Sequence, residues 1–142
     1  MRLNNQNIEW ELCKAYFSIL EINMSSEVSL EQLITTAKVS REEVEKKVPK
    51  NLKNYKIFFL KILISKLDKE VLDELKGDIM HDTFSSTYDK ILEGLSLRFE
   101  KYLQYKKSFK ILSKNSKQRI EVFLNVFKEN SNFSSNLLTL IE

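Results

Sequence analysis

The chain has 142 residues, close to the commonest size of a single domain, and its 42% hydrophobic and 30% charged residues mark a folding globular protein rather than a disordered one. Two glycines and one proline are too few for the turns of a sheet protein, so the composition points to an all-α fold. A formal charge of +3 permits DNA contact without a dominating basic surface, and the single cysteine, Cys13, excludes an intrachain disulfide or a cysteine zinc cluster and suggests a reducing, cytoplasmic setting.

The elements follow from hydrophobic periodicity. Ile8, Leu12, Ala15, Tyr16, Ile19, Leu20 and Ile22 recur at three- and four-residue spacing and predict a first amphipathic helix that ends near Asn23. Ser29 with Gln32 three residues on has the capping-box spacing and starts a short second helix, Leu30 to about Thr36. Ala37, Lys38 and Val39 form the next turn. Ser40 with Glu43 repeats the signature and starts a third short helix over Arg41 to Lys47. Two short, tightly joined helices after a longer one follow the helix-turn-helix plan.

Pro49 stops the third helix, and Tyr55, Phe58, Phe59, Ile62, Leu63, Leu67, Val71, Leu72 and Leu75 mark a long fourth one, with Gly77 as its expected C-cap. Its apolar run, Ile57 to Ile64, is broken by Lys61 and is far short of the roughly 20 residues of a membrane span, so no transmembrane segment is expected. No secretory apolar segment follows Met1. Asp78 to Thr83 reads as a loop holding the sole histidine, His81. From about Ser85, Tyr88, Ile91, Leu92, Leu95, Phe99, Tyr102 and Leu103 predict a fifth helix, with helical character continuing through Phe109, Ile111 and Leu112. Ile120, Val122, Phe123, Leu124, Val126 and Phe127 begin another. Ser131 to Ser135 reads as a polar interruption before a short apolar end, Leu137 to Ile141.

Little in the chain suggests catalysis. His81 has only Asp78 and Asp82 beside it and no cysteine partner, which favours a solvated loop over a metal site. Cys13 reads as a buried structural thiol. There is no GxSxG elbow, and Gly77 and Gly94 are too far apart for a phosphate-cradling loop. No catalytic residue, metal or cofactor is expected, and the chain reads as a non-enzyme. Asp68, Glu70, Asp73 and Glu74 alternate with lysines, as on a solvated helix face. Lys101, Lys106, Lys107, Lys110, Lys114, Lys117 and Arg119, interleaved with Tyr102, Tyr105 and Phe109, suit a nucleic-acid or anionic-membrane surface but read more simply as a solvated basic face with aromatics turned inward. Phe58, Phe59, Phe99, Phe123, Phe127 and Phe133 read most simply as core.

The stretch Val28-Ser29-Leu30-Glu31-Gln32-Leu33-Ile34, the turn Ala37-Lys38-Val39-Ser40 and the run Val44 to Pro49 resemble helix two, turn and recognition helix of the TetR family of transcriptional regulators, with Leu12 to Leu20 similar to its first helix. The resemblance covers roughly the first sixty residues. It implies a TetR-like fold, with a helix-turn-helix module over residues 1–49 followed by a small helical bundle over 50–142 for ligand and dimerisation. It also implies DNA contacts from Ser29, Ser40, Arg41, Lys46, Lys47, Lys50 and Lys53, with Lys56 beside them, and a homodimer, because one module reads too few bases for useful specificity. Phe59, Leu63, Leu92, Phe99, Phe123 and Phe127 are the expected lining of an apolar ligand pocket. Lys38 stands where the family usually has glycine, Glu45 where it has an aromatic residue and Asn51 where it has a phosphate-contacting lysine. Glu42, Glu43 and Glu45 bring the third helix close to neutrality.

Further on, Tyr88-Asp89-Lys90-Ile91-Leu92, Leu97-Arg98-Phe99-Glu100 and Leu103 look like a segment of the TetR-like lipid-binding proteins that assist ubiquinone biosynthesis. That resemblance implies the alternative of a lipid- or quinone-binding accessory protein without a DNA role.

Overall fold

The computed structural model describes residues 5–50 and 55–142, excepting the side chains of residues 5, 6 and 79–81. Among the described residues the fold is all-α, with seven helices and no strand: α1 (Asn5–Asn23), α2 (Leu30–Ala37), α3 (Arg41–Lys47), α4 (Tyr55–His81), α5 (Thr87–Leu103), α6 (Lys106–Leu112) and α7 (Ser116–Ile141). No helix among these residues is long and apolar enough to cross a membrane.

The chain forms two compact units. One is Met1–Leu63 with Lys107–Val122, the other Ile64–Lys106 with Phe123–Glu142. These units divide the chain elsewhere than between residues 49 and 50, because the apolar side of the helix-turn-helix is covered by α4 and α6. Leu12, Tyr16 and Leu20 of α1, Leu33 of α2 and Val44 of α3 are all fully buried, and Phe59, Leu60 and Leu63 of α4 with Leu112 of α6 are equally buried in the same unit. Tyr16 stacks on Phe59 with ring centroids 4.8 Å apart, and its hydroxyl donates to the Ser26 carbonyl at 3.2 Å. Full burial of such a side chain contributes about 1.5–3 kcal/mol, so the head without α4 and α6 would forgo several of these increments.

The second unit is built on Val71 and Leu75 of α4 and Phe133 and Leu137 of α7, with Leu97 of α5 packed against them. Gly94 of α5 is buried there, within reach of the Leu137 and Leu75 side chains. Arg98 of α5 is the unit's polar anchor. Its guanidinium donates to both Asp68 oxygens, at 2.7 and 3.0 Å, and to the Asn130 side chain and the Tyr102 hydroxyl, while lying 4.5 Å from the Phe133 ring centroid. Tyr102 in turn donates to Asp68 at 2.8 Å.

Several expected boundaries move. Gly77 is interior to α4, which runs on to His81, so it is no C-cap, and the loop that follows is held instead by Asp82 accepting from the Phe84 and Ser85 amides. Ser131 to Ser135 does not interrupt α7. A serine costs a helix only a few tenths of a kcal/mol, less than the burial of Phe133 and Leu137 returns. Asp68 is buried rather than solvated, and of the phenylalanines read as core only Phe59 and Phe133 are fully enclosed, while Phe99, Phe123 and Phe127 are exposed.

Candidate nucleic-acid interface

The candidate surface is the exposed side of α2, α3 and their turn. Ser29 closes the α2 N-terminus with a capping box: its Oγ accepts from the Gln32 amide at 3.2 Å, and the Gln32 side chain accepts from the Ser29 amide at 3.0 Å. Lys38 ends α2 in the left-handed region, φ 55° and ψ 37°, and its amide donates to the Ile34 carbonyl. This is the conformation for which the glycine of the resembling family is suited. Ser40 then caps α3, its Oγ accepting from the Glu43 amide at 3.3 Å, and Val48 leaves the helix in extended conformation before Pro49. Buried Leu33 and Val44 fix the backs of the two helices, which turns Ser29, Lys38, Ser40, Arg41, Glu42 and Glu45 outward.

Each cation of α3 already has a carboxylate. Arg41 donates to Glu31 of α2 and lies 3.6 Å from Glu45, Lys46 meets Glu42 at 2.7 Å, and Lys47 comes within 3.9 Å of Glu9 of α1. The hydrogen bond and charge of Lys46 hold the Glu42 carboxyl below its ordinary range, and Glu42 raises the Lys46 ammonium in return. Pairs this exposed are screened by solvent and contribute little to stability. Arg41–Glu45 and Glu42–Lys46 are visible in the sequence as four-residue spacings. Glu31 and Glu9 carry no such signal, because tertiary packing alone brings them to α3.

Of the other expected contacts, Lys50 is exposed and Lys53, like Asn51, lies outside the described residues. Lys56 is no phosphate contact: it is buried and bonded to Glu121 at 2.9 Å. The six residues expected to line an apolar pocket are distributed differently. Phe59 and Leu63 are fully buried in the first unit's core, and Leu92, Phe99, Phe123 and Phe127 stand exposed on α5 and α7 of the second unit, so these four line no enclosed cavity. The first unit instead carries an open cleft of about 680 Å³ bordered by polar residues that include Ser26, Ser29, Gln32, Lys56, Lys117 and Gln118.

No protein-family model, curated protein or solved structure matches the chain. The functional reading therefore rests on the geometry above. Among the described residues no three His, Cys, Asp or Glu side chains come together as metal ligands. Burial raises the Cys13 thiol well above its ordinary value, and its Sγ lies 3.5 Å from the Phe59 carbonyl, an arrangement that suppresses the thiolate.

Proposed function

We propose that the chain is a TetR-like regulator that binds DNA through α2 and α3. The observation that carries this reading is the capped pair of short helices whose turn residue, Lys38, adopts the left-handed conformation and whose outward side groups Ser29, Ser40 and Arg41. A hydroxyl-capped helix N-terminus is a natural phosphate contact, and Arg41 stands at the start of the helix that would enter the major groove. The glutamates beside the cations lower affinity without forbidding it, since weak exposed pairs exchange readily for phosphates.

Only a handful of cations per head are available, so the salt dependence should be shallow. Log affinity should fall with log salt by about 0.9 for each phosphate neutralised. Fluorescence anisotropy with a labelled duplex at two salt concentrations tests this: binding at low salt is expected, and the triple variant E31Q/E42Q/E45Q should bind several-fold more tightly because Arg41 and Lys46 are released. Absence of binding at the lowest salt by both folded proteins would refute the proposal.

A second reading, the lipid- or quinone-binding accessory protein on the same fold, is supported by the self-neutralised α3. It is distinguished by organic extraction of the purified protein and mass spectrometry, where a stoichiometric apolar ligand would favour it.

A further inference from the structure

The cations of α3 are each matched by a carboxylate, and the densest group of uncommitted positive charge in the first unit lies elsewhere. It lies on Lys107–Val122, the piece of α6 and α7 that belongs to that unit. Five cations, Lys107, Lys110, Lys114, Lys117 and Arg119, stand there against one carboxylate, Glu121, an excess larger than the formal +3 of the whole chain. Glu121 is engaged by Lys56 at 2.9 Å, and Lys114 donates to the Met24 carbonyl. Lys107, Lys110, Lys117 and Arg119 are exposed and make no ion pair among the described residues.

The segment is fixed against the helix-turn-helix. Ser108, buried on α6, donates to Glu21 of α1 at 2.7 Å, Ile111 and Leu112 enter the core, and Lys56 pins the second turn of α7 to α4. Burial of Ser108, Ile111 and Leu112 turns Lys107 and Lys110 outward. Helix α7 then starts beside α2. Asn115, whose Oδ1 accepts from the Gln118 amide at 2.8 Å, shares the open cleft with Lys117 on one side and with Ser29 and Gln32 of α2 on the other. The positive ends of two helix dipoles, those of α2 and α7, therefore meet at this cleft. Its carboxylates are Glu121, held by Lys56, and Glu27 on the exposed rim.

In a helix-turn-helix complex the recognition helix lies in the major groove and the helix before it crosses the backbone, so side chains bordering the N-terminus of α2 lie along phosphates. We propose that the α6–α7 segment is a second contact surface for duplex DNA, in which Lys107, Lys110, Lys117 and Arg119 engage the phosphates flanking the groove read by α3. This rests on the reading of α2 and α3 as a DNA-contacting pair and carries the interface outside the helix-turn-helix. Such contacts fix position without reading sequence, and they supply the charge that the self-neutralised α3 lacks. An anionic membrane suits the segment less well. Helices on lipid surfaces insert an apolar face beside their cations, whereas Ile111 and Leu112 are enclosed in the protein core.

The test is fluorescence anisotropy with a labelled duplex over a series of salt concentrations, with circular dichroism confirming that each variant keeps its helices. Four phosphate contacts add about 3.6 to the steepness of log affinity against log salt, at about 0.9 each, beyond the shallow dependence that α2 and α3 give by themselves. K107Q/K110Q/K117Q/R119Q should lower that steepness by about two or more and weaken binding by about tenfold or more, equally on duplexes of different sequence. K61Q/K69Q/K76Q/K128Q removes the same charge from exposed lysines elsewhere and should leave the steepness unchanged. A steepness retained by the first variant, or lost equally by both, would overturn the inference. So would wild-type binding to phosphatidylserine vesicles that the first variant loses while its duplex binding is intact. R41E separates the inference from the reading beneath it. Duplex binding lost in R41E but untouched in the first variant overturns the inference alone, and binding that survives R41E but not the first variant supports it and overturns the role of α3. No duplex binding by the folded wild type at the lowest salt overturns both.

Discussion

Gly77 and Gly94 both stand inside helices, where glycine costs about 1 kcal/mol relative to alanine, yet only one of them is needed there. A methyl group added at Gly94 would come within 2.9 and 3.0 Å of the Leu137 side chain and 3.1 Å of that of Leu75, all in a buried cluster, whereas one added at Gly77 meets nothing within 4 Å. Overpacking a core costs about 1–3 kcal/mol, which exceeds the helix-propensity gain. G94A should therefore destabilise the protein by about 1 kcal/mol net, and G77A should stabilise it by about 0.5–1 kcal/mol. Urea denaturation followed by circular dichroism measures both, and equal effects at the two sites would contradict the packing described. The sequence misleads at Gly77 because the usual meaning of a glycine late in a helix is termination. Here α4 continues to His81.

The elements of the head were legible because each boundary has a local cause: Ser29 and Ser40 cap, Lys38 turns and Pro49 stops. The course of α7 was not, since a serine-rich stretch becomes helical only when Phe133 and Leu137 find a core elsewhere in the chain. The candidate interface divides similarly, with Glu42 against Lys46 readable from spacing but Glu31 against Arg41 set by how α2 and α3 cross. The least legible element is the anchor of α5, in which Asp68 looked like one more acid on a solvated face. Both Asp68 and Arg98 side chains are only 11% exposed. Burial opposes the Arg98 charge, but the bonds and charges of Asp68 and Tyr102 outweigh it and raise the guanidinium pKa further. Removing one member of such a pair strands the other, at a cost of about 3–5 kcal/mol. D68A should lower stability by about that amount, whereas replacing Asp68 and Arg98 together by leucine and methionine should cost much less. A double-mutant cycle in urea checks this, and additive losses would show that the two groups do not act as a unit.

At the scale of the whole molecule, four buried acids make the fold vulnerable to alkali. Burial raises the Cys13 thiol from its ordinary 9.0, and it raises the Tyr16, Tyr55 and Tyr102 hydroxyls from 10.0, helped by the neighbouring Cys13, Glu45 and Asp68 respectively. The native state therefore retains protons that the unfolded chain releases. Above the ordinary values the unfolded state binds fewer protons than the native one, so stability falls as pH rises, by at most about 1.4 kcal/mol per pH unit for each group. The contribution is fully present below pH 9.0, begins to decline there through Cys13, and declines more steeply past 10.0 when the three tyrosines join. Thermal midpoints followed by circular dichroism should be level on the acid side of this window and drop through it. C13A should postpone the onset to the tyrosine range, because it removes the group that titrates first while leaving the phenols in place. A midpoint unchanged well beyond 10.0 would mean that water already reaches these side chains, and the stacking of Tyr16 on Phe59 that closes the helix-turn-helix head would then have to be looser than described.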